Sequence, residues 1–590
     1  MACWRYFVLM CAFFGCAAAP LAAEEPSPKT IDFNRDIRPL LSNYCFACHG
    51  PDGESRETDL RFDRKESAFG ELGSGDFAIV PGKSADSQMY QRISADDESL
   101  RMPPVEFGKK LNADQIALIK QWIDAGAKWD EHWAHVPPQR SAPPEVSAAD
   151  WPRNAIDRFI MARLDGEGLS PSPAADRITL IRRLSFDLTG LPPAPAEVAA
   201  FVSNDRADAY ERLVERLLAS PHFGERLAVY WLDLVRYADT VGYHGDQERT
   251  ISAYRDYVIN AFNANLPFDQ FTIEQLAGDL LPEATREQKV AAGYNMLGMT
   301  TIEGGAQAKE YLAKYAADRV RTTSVAWMGA TLGCAECHDH KFDPYTTRDF
   351  YSFASFFADI QQKGVANPEA NLLLPTEEQQ RQLTELETEL AQARTALSAL
   401  EAQQKQLEEA QSAKNEAASE TQPGEEPSTE ESAREEEFQN RLAAAKSLVA
   451  DVERRQKRLL GTIRKTISPV SGEPRVMRVL HRGDWMDESG EIVEPAIPAS
   501  LGTLSTGDQR ATRLDLARWL VSRDQPQTAR VFTNRLWKLF FGHGLSSVLD
   551  DLGSQGERPS HPELLDWLAV EFMESGWDIK HMVRLMVTSS

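Results

Sequence analysis

The sequence predicts a mainly α-helical, multidomain protein. Three observations carry this: apolar residues recur every three to four positions through most of the chain, proline-rich breaks divide it, and one stretch keeps an alternating three-and-four apolar spacing over many turns. At 590 residues the chain is several times the length of an ordinary domain, so three or four units are expected, each burying its own core. The formal net charge of −25 argues against a duplex nucleic-acid partner, which needs a surplus of Lys and Arg on at least one face.

Residues 1–23 read as a secretory signal. Arg5 precedes an apolar run from Tyr6 to Leu21, and Ala17, Ala18, Ala19, Ala22 and Ala23 lead into Glu24-Glu25-Pro26. The run is short for a membrane span, and no other stretch is long enough to cross a bilayer. The expected location is therefore outside the cytoplasm, periplasmic or extracellular, with no transmembrane span in the mature chain.

Cleavage would remove Cys3, Cys11 and Cys16 and leave Cys45, Cys48, Cys334 and Cys337. All four lie in Cys-x-x-Cys pairs followed directly by histidine, Cys45-Phe46-Ala47-Cys48-His49 and Cys334-Ala335-Glu336-Cys337-His338. Two thiols three positions apart can each add to one vinyl group of the same porphyrin, and the adjacent histidine then meets the iron. A dithiol, a structural zinc site and a disulfide compete. For the first pair, the histidine and the export signal favour covalent haem c. Met102, in Arg101-Met102-Pro103-Pro104, is the expected distal ligand, because the prolines stiffen a loop that is a poor place for core filler. Beyond it, Asn112 caps a helix with Gln115 in the capping-box position; Ile116, Ile119, Trp122 and Ile123 form its apolar stripe, and Gly126 ends it. A cytochrome c domain is expected over 31–130.

Several segments make the resemblance specific. Phe33-Asn34-Arg35-Asp36-Ile37-Arg38-Pro39-Leu40-Leu41, Thr58-Asp59-Leu60-Arg61-Phe62-Asp63, Pro81-Gly82-Lys83-Ser84 and Trp122-Ile123-Asp124-Ala125-Gly126-Ala127 together resemble the planctomycete-type cytochrome c domain. The resemblance implies that Cys45 and Cys48 attach the haem, with His49 proximal and Met102 distal.

A Pro-rich linker over 131–150 leads into a helical domain expected over 151–364. Its segments Arg182 to Pro193 and Gln275 to Pro282 resemble the second domain of multidomain planctomycete cytochrome proteins. The second Cys-His cluster lies here and continues as Asp339-His340-Lys341-Phe342-Asp343-Pro344. Haem on Cys334, Cys337 and His338 is the leading reading; zinc on Cys334, Cys337, His338 and His340, or a disulfide, stays open. His244 and Met299 are the candidates for a distal ligand there, though a surface histidine and a core methionine account for them better. Asp343 before Pro344 reads as a helix start, with the carboxylate as N-cap.

An antiparallel coiled-coil hairpin is expected over 375–465. Leu383, Leu386, Leu390, Ala393, Leu397, Leu400 and Leu407 form the outgoing stripe, and Phe438, Leu442, Ala445, Val449, Val452 and Leu459 the return. Eleven acids against two bases between 408 and 437 predict a disordered acidic tip. Residues 466–590 are expected to form a mostly helical C-terminal domain. Ala529 to Trp537, Phe541-Gly542-His543-Gly544 and Pro559 to Leu565 resemble the third domain of the same proteins. The family's domain is longer, so this one is expected to be truncated. Loop and N-cap roles suit His543 and His561 better than metal binding.

The function expected is electron transfer by an exported haem c protein with a redox partner protein; the acidic surface suits a basic partner, though solubility alone also explains it. The alternatives are a cytochrome-linked oxidoreductase or carbohydrate-active enzyme, with its catalytic site in the middle or C-terminal domain, and a haem-stabilised binding or scaffold protein whose hairpin docks a protein partner.

Overall fold

The computed structural model describes residues 31–418 and 428–590. The expected signal peptide lies outside the described residues. The described chain is mainly α-helical, and its strands form only two short two-stranded antiparallel ladders. No helix among the described residues is long and apolar enough to cross a membrane. The described residues divide into two compact units, 31–40 with Phe69–Asp130, and Leu41–Ala68 with the described part of Glu131–Ser590.

In the first unit the helix Ala113–Asp124 starts on the expected Asn112–Gln115 capping box and buries Ile119, Trp122 and Ile123. Phe33 packs 5.5 Å from Trp122 and 4.4 Å from Trp129, and Arg38 lies over the Phe33 ring while bonding the Asp130 carbonyl at 2.8 Å. The Pro-Gly-Lys-Ser turn answers the end of this helix. Gly82 N–H donates to the Ile123 carbonyl at 2.8 Å, and Ser84 N–H to Asp124 at 3.0 Å. Two segments distant in sequence thus satisfy each other's exposed polar groups.

The second unit is built on one apolar core that runs from Ile156 to Met586. Trp231 meets Trp327 edge-on at 5.3 Å, and Phe268 stacks on Phe532 at 4.0 Å. Arg513, fully buried, joins Asp279 and Asp359 through charge-assisted bonds of 2.8 to 3.2 Å. Burial opposes its charge, but the two carboxylates more than offset that and hold the guanidinium above its usual range.

Two long helices, Glu377–Ala418 and Thr429–Thr462, leave this core. Arg394 pairs with Glu453 and Arg455 with Glu389, so the two run antiparallel. Leu386, Leu390 and Val452 pack between them, while Leu407 is exposed. Leu372–Leu374 pairs with Arg464–Thr466 at their base. Much of the expected disordered tip is helical. The helices extend to Ala418 and resume at Thr429 on a Ser428–Glu431 capping box, because the Ala, Glu and Gln that dilute the apolar stripe are themselves strong helix formers. Residues 419–427 lie outside the described residues.

Candidate functional site

The first Cys-His motif is a short helical turn, Phe46–His49, with Cys45 at its N-cap. Phe46 is buried and anchors the turn. Gly50 follows where a Cβ would fall 2.3 Å from the Phe46 carbonyl, so the chain leaves His49 by a close backbone approach that only glycine allows. Loop 50–62 then folds back on the motif, with Glu57 N–H donating to the Cys48 carbonyl at 3.1 Å and Phe62 N–H to the His49 carbonyl at 2.8 Å. Asp52, buried, shapes this return by accepting Glu54 N–H and the Ser55 hydroxyl.

The return of the loop fixes the histidine ring. His49 Nδ1 lies 3.3 Å from the Leu60 carbonyl and 3.3 Å from the Thr58 hydroxyl, and Phe62 meets the ring edge-on at 5.6 Å. The Leu60 carbonyl can only accept and the Thr58 hydroxyl can do either, so a proton on Nδ1 satisfies both contacts; that tautomer puts the ring's lone pair on Nε2, as an iron-binding imidazole needs. Burial, and then the neighbouring Cys48, push the Cys45 thiol up to about 12. Both cysteines are free thiols. The donor set therefore fits haem c. The supporting atoms Leu60 O and Thr58 Oγ1 were missed by pattern reading, although both residues lie in the Thr58–Asp63 segment that carries the resemblance.

Met102 lies in the other unit, in a loop where its N–H donates to the Arg92 carbonyl at 3.1 Å, and it is 36% exposed. It is thus not consumed as core filler.

The second motif sits on the single turn Leu332–Glu336. Leu332 and Ala335 point into the core, while Cys334 and Cys337, three positions apart, share the exposed side as free thiols. His338 is exposed, and its Nδ1 bonds the Asp339 carbonyl at 2.7 Å, which again leaves the lone pair on Nε2. Tyr351 ties the turn down through the Glu336 carbonyl at 3.0 Å, and Arg321 pairs with Glu336.

His340 behaves differently. It is buried, its Nε2 faces the Thr331 hydroxyl at 3.0 Å, and its Nδ1 accepts Asp343 N–H at 2.8 Å. Both ring nitrogens are committed to holding the 331–343 loop, and burial lowers its pKa. This removes His340 from the zinc alternative, and no group of three or more His, Cys, Asp or Glu among the described residues is arranged to hold a metal ion. His244 and Met299 are both exposed, with Met299 beside Gly242.

Asp343 is not an N-cap. The helix begins at Thr347, capped by Thr346 with Asp349 in the reciprocal position, because a Thr-x-x-Asp box satisfies two backbone donors where Asp343 could reach neither. Asp343 is instead buried and accepts Ser554 N–H at 2.7 Å. The Ser554 carbonyl in turn accepts the Ser42 hydroxyl at 3.4 Å, at the helix leading into Cys45. One turn of the C-terminal region thus touches the supports of both Cys-His motifs. His561 does precede a helix, Pro562–Glu574, but makes no side-chain cap bond to it.

These features define a helical protein with a c-type cytochrome motif at its head. Three family models match in order: Planctomycete cytochrome C over 45–106, a protein of unknown function (DUF1549) over 155–362, and a protein of unknown function (DUF1553) over 512–590. The chain belongs to the planctomycete-type multidomain cytochrome c proteins, and its cytochrome domain implies haem c. No curated protein and no solved structure matches it.

Proposed function

We propose that this chain is an exported electron-transfer protein that carries haem c on Cys45 and Cys48 with His49 as proximal ligand and Met102 as distal ligand, and a second haem c on Cys334, Cys337 and His338. The observation that carries the reading is the His49 ring, whose Nδ1 lies 3.3 Å from both the Leu60 carbonyl and the Thr58 hydroxyl, contacts that a proton on Nδ1 with the lone pair on Nε2 satisfies. Bound haem c supplies a one-electron ferric/ferrous couple. The protein's own part is to present two thiols on one side of a turn, hold the adjacent imidazole in one tautomer, and bury Phe46 or Ala335 to fix that turn. The second motif repeats these features, with His338 Nδ1 on the Asp339 carbonyl. Its exposed thiols suit attachment by a maturation enzyme. Contact of both supports with the Ser554 turn favours a joint role for the two motifs. The acidic surface suits a basic redox partner, steered by charge, and the long helical pair serves as a spacer or docking arm.

The test is a pyridine haemochrome spectrum with peptide mass spectrometry of the protein exported from a host with haem c maturation. The expected result is haem on both motifs of the intact chain, reduced to one by Cys45→Ala/Cys48→Ala or by Cys334→Ala/Cys337→Ala. Absence of covalent haem from the first motif would sink the reading; haem there alone would remove the second site.

A further inference from the structure

The side chain of Asp343 is 1% exposed. Its Oδ1 accepts Ser554 N–H at 2.7 Å, but its Oδ2, equally buried, accepts no hydrogen bond. The nearest ring nitrogen, His340 Nδ1, lies 3.6 Å away. That nitrogen already accepts the Asp343 N–H, while Nε2 faces Thr331, so the ring offers Oδ2 no proton. On the other side the backbone crowds in. A Cβ at Gly553 would fall 2.4 Å from Oδ2, which makes glycine obligatory at this approach.

The same turn carries a second carboxylate, Asp551, whose Oδ1 accepts Gly553 N–H at 2.8 Å. Two acids therefore bind adjacent amides of one turn. Burial, and then the charge of Asp343, push Asp551 up to about 6; burial and the same two acids also raise the Cys334 thiol. A buried acceptor without a partner, beside a second carboxylate, is costly unless a cation answers both.

We propose that Asp343 and Asp551, together with the turn from Asp551 to Ser554, bind a hard divalent cation, calcium before magnesium. Two carboxylates offer up to four oxygens, and the six to eight that calcium takes are completed by turn carbonyls and water. Nitrogen is excluded because His340 has spent both ring nitrogens, which disfavours zinc. The bound ion staples the Asp343 loop, below the second Cys-His motif, to Ser554, which receives Ser42 from the first. Its function is to brace the supports of both motifs from one point.

The experiment uses the full exported chain after haem maturation and compares thermal unfolding in EDTA, calcium, magnesium and zinc, with terbium luminescence as a direct binding readout. Asp343→Asn keeps the acceptor for Ser554 N–H but removes a charge; Asp551→Asn does the same for Gly553. Calcium is expected to raise the wild-type unfolding temperature above its EDTA value, and both variants to lose that shift and the terbium signal while retaining native circular dichroism. No calcium shift in the wild type overturns the proposal. So does an equal shift in the variants, which would place the ion on the acidic surface, or a shift with zinc alone. Should Asp343→Asn fail to fold, Asp551→Asn decides by the same readouts.

Discussion

A thiol held inside a protein loses the water that stabilises its anion, and the four free cysteines differ in this respect. Burial and Cys48 push Cys45 up to about 12, which leaves about one thiolate in ten thousand at pH 8. Cys334 and Cys337 are both exposed, but partial desolvation and then the nearby acids Asp551 and Asp343 raise Cys334. In chain made without haem maturation, iodoacetamide at pH 8 should therefore label Cys337 first and Cys45 last, as read by peptide mass spectrometry over time. Equal rates for Cys45 and Cys337 would show that the buried turn around Phe46 does not form before haem attachment. At this scale the Cys45-x-x-Cys48-His49 spacing was readable as the mark of a cytochrome c domain, which the family match over 45–106 supports. Asp343 was misread, since an Asp-Pro pair carries no mark of whether its carboxylate caps a helix or turns inward to meet residue 554.

The long helical pair is an element whose ends lie together in space. Asn371 exchanges two bonds with Ser468 at 2.9 and 3.0 Å, and Ile467 N–H donates to the Thr250 carbonyl at 3.0 Å. These contacts lie below the helices and do not depend on them. Higher up, the pair is held by Leu386, Leu390 and Val452 and by exposed ion pairs worth no more than about 1 kcal/mol each. Replacing residues 377–462 by a short Gly-Ser linker should leave covalent haem content unchanged and lower the unfolding temperature of the remaining core by no more than a few degrees. Loss of soluble, haem-loaded protein would mean that the pair is needed for folding. The apolar spacing announced both helices. Their extent was less readable, because helix propensity carries the chain past the last apolar contact.

On the scale of the molecule, the segments matched by the two models of unknown function share one apolar core, with Arg513 buried at their junction against Asp279 and Asp359. Removing one member of such a triad strands the other charges in a dry interior. Arg513→Ala should cost about 3–5 kcal/mol in urea unfolding followed by tryptophan fluorescence, with both segments unfolding in the same transition. Two separate transitions would show that each segment has a core of its own. Nothing in Arg513 or its neighbours marks this in the sequence, since arginine is ordinarily a surface residue.

By itself the sequence determined the helical class, the order of the three matched segments and both Cys-His motifs, because periodicity, proline breaks and thiol spacing are local properties written over a few turns. Only the tertiary structure decided what each histidine ring faces. His49 and His338 turn Nδ1 to a carbonyl, while His340, two residues from His338, spends both nitrogens on its own loop. It also decided that Ser42, Asp343 and Ser554 meet. The physical reason is the same in each case: the partner atoms are backbone groups or residues hundreds of positions away, and burial assigns them only once the core has closed.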